Sequence, residues 1–180
     1  MSYYKELKDS ILSLKDVFFL SPREVWFLKF LEDAQYPLQV VKEGINEFYR
    51  AVPPEKRSKT PIFFAFENIK KAYHRYTLQQ GRSVKIDWLK TYEEKLKQVR
   101  HFLEDVKLKE PKTPEEAEEN LKLAESMITK KLWDSLKKEE KAKILKKYSQ
   151  FKENEELFKL MIKHELMKVF NLRPLSIYVL

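Results

Sequence analysis

The chain has 180 residues, with 36 Lys and Arg against 28 Asp and Glu, a formal charge of +8 and a pI near 9.4. Charged residues reach 36%, above the ~25% of an ordinary soluble domain, while 43% apolar residues suffice for a folded core and exclude a disordered chain. The absence of cysteine excludes disulfides, thiolate metal sites and a cysteine nucleophile, and two glycines, Gly44 and Gly81, leave no phosphate-cradling loop and little scope for tight β-hairpins.

Tyr4, Leu7, Ile11 and Leu14 recur at three and four residues and predict an amphipathic helix. Val17, Phe18, Phe19 and Leu20 read as an apolar hinge into the next element. Ser21-Pro22-Arg23-Glu24 is a helix start, with a capping serine, a proline at the first helical position and a carboxylate where a capping box places it. Trp26, Phe27, Phe30 and Leu31 form its buried face. Pro37 opens a third helix with the stripe Leu38, Val41, Ile45 and Phe48. Pro53-Pro54 closes it, because the residue before a proline leaves helical geometry. Thr60-Pro61 repeats the cap, and Phe64, Ile69, Tyr73 and Tyr76 mark a helix that Gly81 is expected to stop.

A long helix over about residues 83–109 follows, its face set by Leu89, Tyr92, Leu96, Val99, Leu103 and Val106. Pro111 and Pro114 flank a break. Thr113-Pro114-Glu115-Glu116 then starts a helix whose first-turn acids favour the helix dipole and whose buried stripe is Ala117, Leu121, Ala124, Ile128 and Leu132. Helices over about 139–148 and 154–170 complete the set, the last capped by Asn154. In the tail, Leu175, Ile177 and Val179 alternate with Ser176 and Tyr178, a segment expected to dock on the helices or on a partner. The fold expected is all-α, an array of about seven or eight helices. An N-terminal helical domain spans 1–82, a long connecting helix 83–110, and a C-terminal helical bundle with the apolar tail 111–180. No run approaches the ~20 apolar residues of a membrane span, and the first residues carry no signal-peptide apolar region, so the cytoplasm is the expected location. The Lys- and Glu-rich surface resembles that of proteins from hot environments.

No catalytic constellation emerges. His74, His101 and His164 share no metal-ligand spacing, and the acids lie in surface patterns, so the chain is read as a non-enzyme without cofactor or metal. Cations gather in two segments of about +5 each, residues 50–75 and 130–147. In the first, Lys56, Arg57, Lys59, Lys70, Lys71 and Arg75 are candidates to hold phosphates, with Tyr73 or Tyr76 to stack bases. DNA is therefore the expected partner. The alternative is a protein-interaction scaffold, using the first helix and the tail as its contacts.

From Leu20-Ser21-Pro22-Arg23-Glu24 through Val40-Val41-Lys42-Glu43-Gly44-Ile45 to Ile69, residues 20–76 resemble the DnaD-like domain of bacterial replication initiation proteins. In its terminal helix that family has Tyr-xxx-Ile-xxx-Trp; here Ile69 stands at the isoleucine, Ala65 at the tyrosine and Tyr73 at the tryptophan. The resemblance implies DNA binding and help in assembling the replicative helicase, without catalysis. The chain also resembles helical bacterial proteins with a Ser-Pro-Arg-Glu start and a Leu-x-x-Pro-Leu-Ser-Ile-Tyr-like tail.

Overall fold

Helix starts follow the side-chain caps. In a computed structural model that describes residues 2–83 and 87–178, the Glu24 N–H donates to Ser21 Oγ at 3.4 Å while Glu24 Oε2 accepts from the Ser21 N–H at 2.9 Å, completing the capping box. Thr113 and Asn154 likewise accept from Glu116 and Leu157 N–H groups. The elements are α1 (Tyr3–Lys15), α2 (Pro22–Asp33), α3 (Leu38–Ala51), α4 (Pro54–Arg57), a 3-10 turn (Ile62–Ala65), α5 (Phe66–Ser83), α6 (Trp88–Phe102), α7 (Pro114–Ser135), α8 (Lys138–Lys147), a second 3-10 turn (Ser149–Phe151) and α9 (Glu155–Val169). The described residues contain no strand, and the protein is all-α.

Three boundaries differ from expectation. The helix after Thr60-Pro61 begins at Phe66, behind one 3-10 turn, and the Thr60 hydroxyl donates back to the Lys56 carbonyl at 2.8 Å instead of capping. Helix α5 continues through Gly81 to Ser83, since a glycine inside a helix costs only about 1 kcal/mol and stops it only by turning left-handed. The helix expected over 83–109 instead starts at Trp88, with the Asp87 side chain accepting from the Lys90 N–H at 3.2 Å, and ends at Phe102. Beyond it the chain is irregular. Lys131 Nζ holds the Phe102 carbonyl at 2.8 Å and Asn120 Nδ2 holds that of Lys109, also at 2.8 Å. Leu103, Val106 and Leu108 still pack on the core. Their apolar spacing reflects a chain lying along α7, not a further turn of helix.

The chain forms two compact units, residues 1–79 and 80–180. In the first, α1, α2, α3 and α5 enclose Ile11, Phe27, Leu31, Ile45, Phe63 and Phe66, all essentially inaccessible to solvent. Helix α3 meets α5 at Gly44, where a Cβ would lie 2.6 Å from both the Cα and N of Ile69. That distance is below any real contact and is set by backbone. Gly44→Ala is therefore expected to destabilise this unit by about 1–3 kcal/mol in urea unfolding, despite alanine's better helix propensity. An unchanged midpoint would show that the two helices can part without cost.

In the second unit, α6 is part of the core. Tyr92 and Val99 are buried with Ala117, Leu121 and Ile128 of α7 and Met167 of α9. The C-terminal tail completes this core. Leu175 and Ile177 are 2% and 1% exposed. Glu125 Oε2 accepts from the Leu175 N–H at 3.0 Å, Glu118 Oε2 accepts from the Ile177 N–H at 3.0 Å and from the Ser176 hydroxyl at 3.1 Å, and Lys95 Nζ donates to the Pro174 carbonyl at 3.1 Å. Val179 lies outside the described residues.

This internal docking removes the support that the tail lent to the scaffold reading. Residues buried within their own chain offer a partner nothing, and Leu7 and Ile11 of α1 are likewise buried.

Candidate nucleic-acid interface

The segment that carries Lys56 and Lys59 leads into a turn anchored on one buried carboxylate, Glu24. Glu24 is 3% exposed and Lys15, the last residue of α1, is 4% exposed. Lys15 Nζ pairs with Glu24 Oε1, which also accepts the Ile62 N–H at 3.1 Å, while Oε2 accepts the Ser21 N–H and hydroxyl, each at 2.9 Å. A buried charge survives only when paired and hydrogen-bonded in this way. Burial alone would raise the Glu24 carboxyl, but hydrogen bonds from Lys15 and Ser21 and the Lys15 charge outweigh it, holding the group below its usual value of 4.5.

Three pieces of chain therefore converge on Glu24: the end of α1, the start of α2, and the 3-10 turn that follows residues 58–61. Between Lys15 and Ser21 the chain leaves this point and returns. Asp16 takes a left-handed conformation at φ 55°, which an aspartate tolerates, and ends α1. Leu20 tucks in at 7% exposure, whereas Phe18 is 97% exposed and Phe19 77%. On the far side, Lys56 of α4 and Lys59 of the following turn are exposed and hold no ion pair among the described residues. Helix α4 packs against α1. Phe64, two residues past Ile62, is also exposed.

The other candidates have structural tasks. Arg57 Nε donates to the Val52 carbonyl at 3.0 Å, closing the end of α3. Arg75 bridges Glu43 and Glu47 of α3 at 2.6 and 2.7 Å. Lys70 pairs with Glu67 at 3.0 Å, its ammonium 5.8 Å from the centre of the Phe66 ring. The Tyr73 ring stands 5.2 Å from that of Tyr36, and Tyr73 and Tyr76 are both half-buried. Lys71 is exposed on α5. Of the six candidate cations, then, Lys56 and Lys59 come together with open charge, and Lys71 stands on a separate helix. The aromatic side chains that stand open in this unit are Phe18 and Phe19, not the tyrosines of α5. Four consecutive apolar side chains between a helix end and a Ser-Pro cap, where a polar loop is the norm, are the signal that points to Phe18 and Phe19.

The second basic segment lies wholly in the other unit. There Lys147 pairs with Glu165 at 2.8 Å, Lys131 caps α6, and Lys141 lies 5.7 Å from the centre of the Trp133 ring. No group of histidine and carboxylate side chains among the described residues could hold a metal ion, and no described helix is long and apolar enough to cross a membrane.

A protein-family model described as "uncharacterised protein" matches residues 2–85. A protein of Aquifex aeolicus (strain VF5), described as an "uncharacterized protein", is 45% identical over 172 residues, 96% of this chain and 98% of that protein. The chain belongs to this family. The family model takes in residues 20–76, where the DnaD-like resemblance was drawn, and carries no DnaD-like description; the likeness to helical bacterial proteins is the part of the resemblance consistent with the comparisons. No solved structure matches.

Proposed function

We propose that the protein binds DNA through its N-terminal unit, as a non-catalytic accessory factor of the kind that the DnaD-like resemblance implies. The observation that supports this most is the pair Lys56 and Lys59. Both lysines are exposed and hold no ion pair among the described residues, and α4, which carries Lys56, packs against α1, the helix that leads into the exposed rings of Phe18 and Phe19. Cations of this sort bind phosphates by releasing condensed counterions, which ties affinity to salt.

Fluorescence anisotropy with a labelled oligonucleotide at two salt concentrations tests the reading. Wild-type affinity is expected to fall steeply with salt, and Lys56→Ala with Lys59→Ala is expected to reduce the log–log slope by about 1.5–2. Lys130→Ala with Lys138→Ala, in the other unit, is expected to leave the slope unchanged. No binding at low salt would end the DNA reading, and an unchanged slope in the Lys56/Lys59 variant would move the site elsewhere.

A further inference from the structure

We infer that the nucleic acid taken by the N-terminal unit is single-stranded, with unpaired bases stacking on Phe18 and Phe19 while Lys56 and Lys59 hold the flanking phosphates. This rests on the DNA-binding reading above and adds the class of strand to it.

Two adjacent phenylalanines held almost entirely in water are unusual in a chain that buries the next residue, Leu20. Neither ring makes a ring or cation contact with the described residues, so the loop's own packing gives them no task. The rings are also confined in space. Phe19 is two residues from Ser21, and Lys59 is three from Ile62, and Ser21 and Ile62 both donate to Glu24. At ~3.3–3.6 Å per extended residue, the Phe19 backbone lies within about 10 Å of that carboxylate and the Lys59 backbone within about 14 Å.

The chemistry of the rings selects the strand. A phenylalanine has no donor or acceptor and so cannot hydrogen-bond base edges, the main readout that a duplex offers in its grooves. Its π-face can stack on a base, but in a duplex those faces are already covered by neighbouring bases. Only an unpaired strand presents them freely, and stacking of that kind is sequence-tolerant. A membrane surface is disfavoured as the occupant, because the exposed carboxylate of Asp16 stands at the foot of the loop and no cation lies between residues 16 and 20.

The test uses the full chain and four probes: a labelled oligo-dT strand, a strand of the same length whose sites are all abasic, a duplex, and phosphatidylglycerol vesicles. Oligo-dT is expected to bind more tightly than either the abasic strand or the duplex. Phe18→Ala with Phe19→Ala is expected to lose roughly tenfold or more on oligo-dT, with the salt slope and the abasic affinity unchanged. Phe18→Tyr with Phe19→Tyr is expected to restore binding. Both variants should melt like wild type, since they remove side chains that already face water. Equal affinity for abasic strand and oligo-dT, preference for duplex, or no loss in the alanine variant would each overturn the stacking inference while leaving DNA binding in place. Failure of every nucleic-acid probe at low salt would remove the underlying reading. Ring-dependent binding to vesicles alone would assign the loop to a lipid surface instead.

Discussion

Replacing Glu24 with glutamine is expected to cost the N-terminal unit about 3–5 kcal/mol, the penalty of leaving a buried charge without its partner. The glutamine side chain has one acceptor oxygen where the carboxylate uses two, so it cannot serve Lys15, Ser21 and Ile62 together. Above all, the Lys15 ammonium would stay buried with no counter-charge. Lys15→Met combined with Glu24→Gln is expected to recover much of the loss, because apolar packing replaces the orphaned cation. Urea unfolding followed at Trp26, in a chain with Trp88 and Trp133 changed to phenylalanine, reads this unit by itself. A loss below 1 kcal/mol, or no recovery in the double variant, would refute the clamp. The pH dependence follows from the lowered carboxyl. Folded Glu24 gives up its proton more readily than unfolded Glu24, so its contribution is present above 4.5 and disappears as pH falls through the lowered value. The gap between wild type and Glu24→Gln should therefore narrow in acid.

Shortening the tail residues Leu175 and Ile177 together to alanine is expected to destabilise the second unit by about 4–8 kcal/mol. Each loses a buried aliphatic side chain worth about 2–5 kcal/mol, and neighbours two residues apart do not add fully. Trp88 and Trp133 fluorescence during urea unfolding measures the effect, and a loss under 2 kcal/mol would mean the tail packs only loosely. Glu118 makes the hold pH-dependent. Burial drives its carboxyl above 4.5, with the hydrogen bonds from Ile177 and Ser176 opposing only in part. A raised carboxyl stabilises most in acid and loses that contribution as pH rises through the raised value. Wild type should therefore gain stability relative to Glu118→Gln on moving from pH 8 to pH 5.

The all-α class and most helix starts were legible because they depend on short-range signals. Ser21 with Glu24, Thr113 with Glu116, and Asn154 each satisfy a backbone donor three residues away, which spacing alone reveals. Several of the misses involve distant partners. Glu24 read as a capping residue, and nothing local shows that Lys15 at the end of the preceding helix completes it as a buried ion pair. Arg75 read as an open cation because Glu43 and Glu47, which neutralise it, lie on another helix. The stretch from Leu103 to Val106 kept helical spacing although its neighbours are in α7. Phe18 and Phe19 read only as part of an apolar hinge, because periodicity cannot mark a large apolar side chain that stays out.

The clamp at Glu24 also bears on how readily the Phe18–Phe19 loop can engage anything. Residues 16–23 are spanned by an ion pair that ties Lys15 to Glu24, so the entropy of closing this segment is already settled in the free protein. Within the loop a ligand has two ring side chains left to immobilise, at about 0.5–1.5 kcal/mol each, besides those of Lys56 and Lys59. Such a preorganised loop suits fast, reversible capture, with residence time set by contact quality and no coil-to-loop ordering step.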